Sequence, residues 1–472
     1  MSPRRPLFGG VKVATFKSMN APAAWAQSLG ETTTTQRENQ YKNYFMKSIF
    51  TFNLISAIVI LFLFLGYTSE LSSQGYGTLS SYKPDTSLVD LAQFDNYFSE
   101  SRVVGMGEST HGTHEFFLNR HRFFKYLVEH HGFNVFFLEA DYSNCLRANR
   151  YINGAEDDLT EVVKSLAMWP WITEEMQSLI LWMRNYNTQQ DNDKKLQFIG
   201  CDMQRFNSTL SEINNIILKY DSTLINPGID SQLVENDFST FSEQDTKQHQ
   251  MILNNKKVSA TKILFEGRDE FIYRTLLRHL EQMIIEKGKE NFQSYRDLKM
   301  GENILYHLNH NSNVKGFYWA HNWHVCNVYY PKKREQRSHY SAGGVLKNAL
   351  GNKYFSIGQD FTRGSFNAYH MPNYKTTRKR DIVDLEDSSD AYNLGKVELE
   401  TKEGELGYYF KDVDEPIVFI KSHDVQKYNF NKLLVHSIGA DYVPGVAGIY
   451  LMKEYFDLVI IIKNTTETQL ID

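Results

Sequence analysis

Cysteine is scarce in this chain, and charge of one sign does not dominate it. The 472 residues include three cysteines, Cys145, Cys201 and Cys326, and no C-x-x-C pair. Their odd number and wide spacing argue against a disulfide framework, so we expect them to be small buried apolar side chains. The 51 basic and 56 acidic residues leave a net charge of -5, which gives no indication of a nucleic-acid partner.

Long hydrophobic runs are also lacking, apart from residues 49–67 near the N-terminus. We predict a disordered basic extension over residues 1–47, a transmembrane anchor or signal segment over 48–67, and a linker over 68–88. Because basic residues precede the run, the positive-inside rule predicts that the body of the protein lies on the non-cytoplasmic side of the membrane. Met46 is a second candidate start of translation, and the pattern leaves cleavage of the segment open.

Residues 89–472 have the pattern of one α/β domain, with a mostly parallel central sheet, flanking helices and a large helical insertion. Short apolar runs predict buried strands at residues 102–106, 134–138, 196–200, 314–320, 354–358, 417–420 and 458–462. Helical spacing over residues 114–131 joins the first two strands, and a strand–helix–strand unit implies a parallel sheet with a right-handed crossover. Residues 208–312 show helical periods without a strand pattern, and residues 370–404 are predicted as loops.

A glycine-flanked turn with a carboxylate and an imidazole follows the first predicted strand. Glu108 and His111 stand three residues apart in it, between Gly107 and Gly112. In α/β proteins such a turn opens into the cleft beyond the carboxyl ends of the strands. A carboxylate fixes the tautomer of a neighbouring imidazole and raises its basicity, which suits His111 to general-base work. The alternative is a helix-capping turn in which the histidine is incidental.

Two further charged residues are candidates for the same cleft. Glu139 ends the second predicted strand, which we expect to lie beside the first and therefore near Glu108 and His111. Its alternative role is a structural ion pair, with Arg120 as the candidate partner. Arg120, on the first helix, suits the orientation of a carboxylate or the binding of an oxyanion, and its alternative is a solvated surface arginine.

A second histidine pair follows the fourth predicted strand, as His321 and His324 in W-A-H-N-W-H. An H-x-x-H on a turn can supply metal ligands, or a substrate-positioning pair and a general acid; the alternative is a structural role. Trp171 is expected either in the core or in the wall of a hydrophobic cleft. We interpret the remaining histidines of the first helix as surface or packing residues: His114, His121, His130 and His131.

Together these residues resemble the erythromycin esterase family. The motifs occur in order as G-E-S-T-H-G-T-H-E at 107–115, Arg120, L-E-A-D at 138–141, W-I-T-E-E-M at 171–176, W-M-R-N-Y-N at 182–187, G-C-D-M-Q at 200–204, Arg296 with Asp297, Met300 and Asn303, and A-H-N-W-H at 320–324. The resemblance covers roughly residues 90–465. It implies an α/β sheet with helical additions, which agrees with the pattern of strands and helices.

The resemblance also implies an activity and roles for the candidate residues. The expected enzyme is a hydrolase that opens an ester or a macrolactone such as erythromycin with water. His111 then resembles the general base, Glu108 and Glu139 its carboxylate partners, and Arg120 an orienting or charge-stabilising group. His321 and His324 resemble the opposite wall of the catalytic cleft, with His321 the stronger candidate. The residues assigned to substrate binding are Trp171, Trp323, Arg296 and Asn303.

The resemblance implies no metal or other cofactor. The expected partners are a small ester or lactone, water, and a membrane through the N-terminal segment, with no nucleic acid. That segment departs from the antibiotic-resistance enzymes of the family, which are usually cytoplasmic, and so weakens macrolide resistance as the physiological role. The family also includes members assigned to succinoglycan biosynthesis.

Two alternatives remain open on sequence alone. The first is a metal-dependent hydrolase that uses the same histidines and carboxylates on a different ester or a cell-envelope substrate. The second is a non-enzymatic surface protein that binds haem or another ligand. Haem needs an axial ligand in an apolar pocket, whereas the histidines of this chain occur among carboxylates, which argues against the second.

Overall fold

The computed structural model describes residues 75–192, 194–226, 228, 243–285, 292–330, 339–370, 393–421, 424, 433–444, 448–450 and 454–472. These residues belong to one compact unit, Gln74–Asp472. The predicted basic extension and the predicted membrane or signal segment lie outside the described residues and stay predictions. Within the described ranges, no helix has the length and apolar character needed to cross a membrane.

Strands are numbered in chain order. They are β1 Gly77–Leu79, β2 Val103–Met106, β3 Val135–Asp141, β4 Gln197–Asp202, β5 Gly316–Trp319, β6 Tyr329–Tyr330, β7 His339–Tyr340, β8 Tyr354–His370, β9 Asn393–Glu400, β10 Ile417–Lys421, β11 Leu434–His436, β12 Asp441–Tyr442, β13 Gly448–Tyr450 and β14 Leu458–Thr465. The predicted strands are confirmed, and the apolar character of each run agrees with its burial.

Helices are numbered in the same way. They are α1 Asp95–Phe98, α2 His114–His131, α3 Tyr142–Ile152, α4 Leu159–Lys164, α5 Glu174–Asn187, α6 Phe206–Tyr220, α7 Glu243–Ala260, α8 Asp269–Ile285, α9 Phe292–His310, α10 Asn322–Val325 and α11 Ala342–Leu350. Gly132 is the C-cap residue of α2. Its φ is 70°, in the left-handed region that glycine adopts most easily, and its N–H donates to the Leu127 carbonyl.

The main sheet has ten strands, and its backbone path runs β1-β10-β14-β8-β2-β5-β3-β4. Neighbours from β14 to β4 pair in parallel, whereas β1 and β10 pair antiparallel at one edge. Strands β9 and β12 both pair with β8. The mostly parallel α/β fold is therefore confirmed, and parallel strands place their carboxyl ends at a common edge.

The order of neighbours differs from the prediction in the centre of the sheet. Strand β5 lies between β2 and β3, because Gly316 pairs with both Val103 and Val135. The second predicted strand is thus not beside the first. A hydrophobic run indicates that a strand is buried but not which strand pairs with it. The position of β5 between β2 and β3 could therefore not be predicted from the sequence.

Three further strands differ from the prediction in their length or existence. Strand β8 continues to His370, well beyond the predicted end at residue 358. The prediction of loops over residues 370–404 is wrong at β9, which pairs with the distal half of β8. Only Val397 of β9 is buried, so this edge strand lacks the apolar alternation that identifies a strand. Strand β1 lies inside the predicted linker 68–88 and pairs with β10.

The helical insertion is confirmed between β4 and β5. Helices α6, α7 and α8 share an apolar cluster that includes Leu210, Leu253 and Leu276. Helix α9 packs Met300, with its neighbours, against one face of the sheet, while α2 and α5 cover the other face. The three cysteines are free and buried, as expected. Helix α9 is important for function because its first turns reach the carboxyl edge of the central strands.

Candidate active site

The candidate site lies at the carboxyl edge of β2, β5 and β3. Glu108 follows the end of β2 by two residues, and His321 follows the end of β5 by two residues. Glu139 lies within the last residues of β3, before Asp141. Because these three strands are parallel neighbours, the two distant motifs meet at one edge, as the sequence predicted.

His111 is held by Glu108 in an imidazole–carboxylate pair. The distance from His111 Nδ1 to Glu108 Oε1 is 2.6 Å, and Glu108 is fully buried while the His111 side chain is 13% exposed. A carboxylate accepts the Nδ1–H, which keeps the proton on that nitrogen and leaves Nε2 as the acceptor. Thr113 is the N-cap residue of α2 and makes no side-chain capping bond.

Arg120 is fully buried and orients Glu108, so the alternative of a solvated surface arginine is wrong. Its Nη1 lies 2.8 Å from Glu108 Oε2, and its Nη2 donates to the Gly107 carbonyl at 2.6 Å. The guanidinium also stacks over the Trp319 ring at 4.3 Å. Burial lowers the pKa of Arg120 to about 10, and Glu108 opposes the shift. The group therefore stays charged at neutral pH and fixes the carboxylate from behind.

Glu139 has partners other than those predicted. Its Oε1 lies 2.7 Å from Arg296 Nη2 and 3.1 Å from His324 Nε2, while its Oε2 accepts the backbone N–H of His321 at 2.8 Å. Burial raises the pKa of Glu139, but His324 and Arg296 outweigh it and hold the pKa well below the usual range. The ion-pair alternative for Glu139 is thus correct with Arg296 as the partner, and the predicted direct partnership with His111 is replaced by support of the His321 turn.

His324 is an imidazolium enclosed by carboxylates. Its Nδ1 lies 2.7 Å from Asp297 Oδ1, and its Nε2 faces Glu139. Burial disfavours the charge, yet Asp297 and Glu139 raise the pKa of His324 to about 10. Since both ring nitrogens are engaged, His324 fixes the turn after β5 and offers no nitrogen to a substrate.

His321 has the opposite character and faces His111. The two ring centroids are 5.6 Å apart. Its Nδ1 accepts the backbone N–H of Trp323 at 3.3 Å, so the proton of the neutral ring is on Nε2. Burial first, then the neighbouring histidines His111 and His324, lowers the pKa of His321 to about 3, and Glu139 opposes the shift. The site therefore pairs an acceptor, His111 Nε2, with a neutral donor, His321 Nε2–H.

Among the predicted substrate-binding residues, Trp171 places its side chain beside this pair. The Trp171 ring is buried, with its centroid 5.9 Å from that of His111, and forms a wall of the site. Trp323 instead packs its indole on His339 and Tyr455, at centroid distances of 5.0 and 6.5 Å.

Arg296 and Asn303, also predicted to bind substrate, have their polar atoms bonded to other residues of the protein. Arg296 is buried between Glu139 and Asp202, with Nε 3.0 Å from both carboxylate oxygens of Asp202. Asn303 is buried, and its amide bonds to the Cys201 carbonyl, Gln282 and Arg278. Each side chain uses its polar atoms inside the protein, so both support the site from within the fold.

Sequence reasoning missed roles for Asp297, Asp202 and Gly439. Asp297 is next to Arg296 on α9, so the adjacent arginine and aspartate in the sequence could have indicated that both support the site. Asp202 ends β4, where a polar residue after a buried strand was again a signal. Gly439 accepts the His111 backbone N–H on its carbonyl oxygen at 3.0 Å, and nothing in the sequence pattern singled it out.

The histidines and carboxylates of the candidate site are engaged with one another. Among the described residues, no group of three or more His, Cys, Asp or Glu side chains is arranged to hold a metal ion. Glu108 is occupied by His111 and Arg120, and His324 by Asp297 and Glu139.

Buried histidines make the stability of the protein depend on pH in both directions. Burial is the first cause that lowers the pKa values of four of them, to about 3 or 4: His121, His279, His307 and His321. Carboxylate partners overcome burial at His324 and His436 and raise both pKa values to about 10. Below pH 6.5 the histidines with lowered pKa values stay neutral in the native state, while the same histidines of the unfolded chain take up protons. Above pH 6.5 His324 and His436 keep their protons in the native state, while those of the unfolded chain lose them.

We expect the free energy of unfolding contributed by these histidines to be greatest near pH 6.5, the ordinary histidine pKa. This free energy decreases toward pH 3, because the histidines with lowered pKa values bind protons more readily in the unfolded chain. It decreases toward pH 10, because His324 and His436 then lose the protons that their carboxylate partners stabilise. Each proton that differs between the states changes the slope by about 1.4 kcal/mol per pH unit. Asp141, whose pKa burial and Asp202 raise to about 7, opposes one histidine on the acid side. Urea unfolding at pH 4.5, 6.5 and 9 measures this; stability at pH 4.5 or at pH 9 that exceeds the stability at pH 6.5 contradicts it.

The fold and the site together define an α/β protein with an imidazole–carboxylate pair at the carboxyl edge of its parallel strands. A family model described as erythromycin esterase matches residues 128–465. The chain belongs to the erythromycin esterase family, and the resemblance found in the sequence is confirmed. Membership supports an esterase or hydrolase that acts on a small molecule with water.

Individual relatives are distant. The chain is 25% identical to the erythromycin esterase type II of Escherichia coli, over 58% of this chain and 72% of that protein. A crystal structure of a Bacillus cereus protein matches with a TM-score of 0.69 and 22% identity, over 86% of this chain and 98% of that one. A mutant erythromycin esterase in its open conformation matches with a TM-score of 0.59 and 16% identity, over 84% and 98%. The structural matches support the fold.

Proposed function

We propose that this protein hydrolyses an ester, including the ester bond of a lactone, with a water molecule activated by His111. The observation that carries the proposal is the orientation of His111. Its Nδ1 is bound to Glu108 at 2.6 Å, so the acceptor Nε2 is left on the side of the partly exposed ring that faces His321. An imidazole held in this tautomer by a buried carboxylate is suited to proton abstraction.

The chemistry follows from the two facing imidazoles. His111 Nε2 takes a proton from water as the water oxygen bonds to the acyl carbon. His321 Nε2–H donates to the carbonyl oxygen, which becomes the oxyanion of the tetrahedral intermediate. The intermediate then breaks the bond between the acyl carbon and the alkoxide oxygen, and the proton on His111 passes to that oxygen. The products are a carboxylic acid and an alcohol, which in a lactone remain one molecule.

Neutrality of His321 supports its role as the donor. A low pKa, near 3, keeps that ring uncharged at physiological pH, so it stabilises an oxyanion through its N–H without transferring a proton permanently. Glu108 in turn stabilises the imidazolium that forms on His111, and Arg120 balances the charge of Glu108. The Glu108–Arg120 ion pair thus lies behind His111, and a neutral His321 ring lies on the other side of it.

A macrolactone such as erythromycin is the substrate we propose to test first. Family membership supports the class of reaction, and a relative named erythromycin esterase type II suggests this substrate. Trp171 adds an apolar wall with its ring centroid 5.9 Å from that of His111, and an apolar wall suits a bulky acyl or alcohol group. Simple aryl esters are the second class, because they require the same attack on an acyl carbon without the same binding surface.

Replacing His111 with alanine is expected to abolish turnover and leave the fold intact, because the base is removed from a partly exposed turn. The purified full-length protein is incubated with erythromycin and with aryl esters, and the mass gain of one water is measured. His130→Ala is the matched control, since His130 is exposed and lies at the far end of α2, the helix that follows the His111 turn.

Turnover by His111→Ala at the wild-type rate contradicts the assignment of the base. Wild-type activity that is lost on chelation and restored by a metal ion favours the metal-dependent mechanism instead. Absence of turnover by the wild type on every ester contradicts the proposed function itself.

A further inference from the structure

A backbone segment that sequence patterns did not identify borders the reaction centre. Residues 436–442, which we term the Gly439 segment, are bonded directly to the turn that carries His111. The N–H groups of Ile438 and Gly439 both donate to the Ser109 carbonyl, at 2.8 and 3.1 Å. The Gly439 carbonyl accepts the His111 N–H at 3.0 Å, and Gly439 forms a parallel bridge with Thr110.

The same segment is fixed to the sheet from behind. His436 Nδ1 lies 2.8 Å from Asp360 Oδ1, and the His436 N–H donates to Asp360 Oδ2 at 3.2 Å. The Tyr369 N–H donates to the Ala440 carbonyl at 2.8 Å, where β12 pairs with β8. Because β8 is a central strand, Gly439 is held in place by the fold before any substrate binds.

Gly439 is directed at the gap between the two catalytic rings. A Cβ atom built on this residue would lie 3.7 Å from His111 Nε2, 3.8 Å from His111 Cδ2 and 3.9 Å from His321 Cδ2. These are ordinary contact distances, so a methyl group fits without displacing backbone atoms. It would nevertheless occupy space beside the acceptor nitrogen, where the attacking water and the ester carbonyl have to lie.

The conformation of Gly439 excludes most other residues. Its φ is +67°, in the left-handed region that costs side-chain-bearing residues steric energy. Gly132, with φ of +70°, has the same conformation at the end of α2 and no atom within 4 Å of its would-be Cβ. A substitution at Gly132 therefore causes the backbone strain alone, whereas the same substitution at Gly439 causes that strain and also fills space beside His111 and His321.

We propose that Gly439 determines the specificity of the site, because its missing side chain leaves the space between His111 and His321 in which the water and the acyl group are held. This inference rests on the proposed ester hydrolysis. The Gly439 segment is the third wall of the reaction centre, beside the His111 turn and the His321 turn. A side chain at this position narrows the site from the side of His111 Nε2, so substrates that are branched next to the carbonyl are excluded first.

The test compares Gly439→Ala with Gly132→Ala in the full-length protein. Gly439→Ala is expected to lower kcat/KM by at least about 100-fold, the size of effect that a displacement of about 1 Å has on a reacting group. The loss is expected to be greater for esters branched next to the carbonyl than for acetate esters. Gly132→Ala introduces the same methyl and the same backbone strain and is expected to keep wild-type kinetics.

A second measurement does not depend on turnover. Diethyl pyrocarbonate acylates an unprotonated imidazole nitrogen, and peptide mass spectrometry gives the rate at each histidine. Modification of His111 is expected to be slower in Gly439→Ala than in wild type and in Gly132→Ala, while modification of the exposed His130 is equal in all three. Equal kinetics and equal His111 modification in both glycine variants overturn the inference. If the wild type hydrolyses no ester but Gly439→Ala still protects His111, the proposed function fails and the placement of Gly439 stands.

Discussion

Replacing Glu108 with glutamine is expected to lower kcat at least about 100-fold, with a much smaller change in KM. One carboxylate oxygen accepts a hydrogen bond from His111 Nδ1, and the other forms an ion pair with Arg120 Nη1 at 2.8 Å. A glutamine amide accepts on one side only and donates on the other. Either His111 loses the partner that keeps its proton on Nδ1, or Arg120 faces an N–H group inside the protein.

The effect on kcat follows from the charge as well as from the geometry. In the proposed mechanism His111 becomes an imidazolium when it takes the proton of water, and the buried negative charge of Glu108 stabilises that state more than the resting state. A neutral amide removes this difference, so the transition state loses more than the bound substrate does. Steady-state kinetics on an aryl ester, with kcat and KM determined separately, measures the split.

Glu175→Gln is the matched control for this change. Glu175 Oε1 lies 2.5 Å from His114 Nδ1, so the chain contains a second carboxylate–imidazole pair three residues beyond the first histidine. Loss of that pair alters a contact with the C-terminal residues, through the Gln469 N–H, and not the reaction centre. If both variants lose the same fraction of kcat, the effect reflects general loosening of the fold and the role of Glu108 is refuted.

Hydrophobic runs were sufficient to predict the parallel strands and the helix between β2 and β3. Burial of a strand on both faces requires a continuous apolar run, and a helix that covers a sheet requires apolar residues at helical spacing. Neither requirement encodes the neighbour of a strand, which is why β5 was not expected between β2 and β3. An edge strand such as β9 buries one side chain, Val397, and therefore leaves no run to detect.

The positions of the two facing histidines were more predictable than those of the residues that support them. His111 and His321 follow buried strands, and the geometry of a parallel sheet is enough to bring such residues to one edge. Arg296 lies inside a helix of the insertion, 157 residues from Glu139 and 94 from Asp202 along the chain. A helical period predicts which face is buried, but the choice of carboxylate partner depends on how the insertion packs on the sheet, and that is a property of the whole fold.

Replacing Arg296 with methionine is expected to destabilise the protein by about 3–5 kcal/mol, the usual cost of removing one partner from a buried ion pair. Arg296 is the cation shared by Glu139 and Asp202, which lie 2.7 and 2.5 Å from its Nη2. Methionine fills much of the volume and provides no charge. Denaturant unfolding of the variant and the wild type at pH 7 measures the difference.

Arg150→Met provides the comparison. Arg150 pairs with Glu212 at 3.0 Å, but its side chain is 52% exposed, so this loss is expected to stay within about 1 kcal/mol. The deficit of Arg296→Met is also expected to shrink as the pH falls, because carboxylates without a cation take up protons in the native state and the charge is removed. Equal losses in the two variants, or a deficit that grows in acid, would show that Arg296 is not the cation that holds Glu139 and Asp202 together. Since Glu139 also accepts the His321 N–H, a large loss is expected to disturb the donor side of the reaction centre before it disturbs His111.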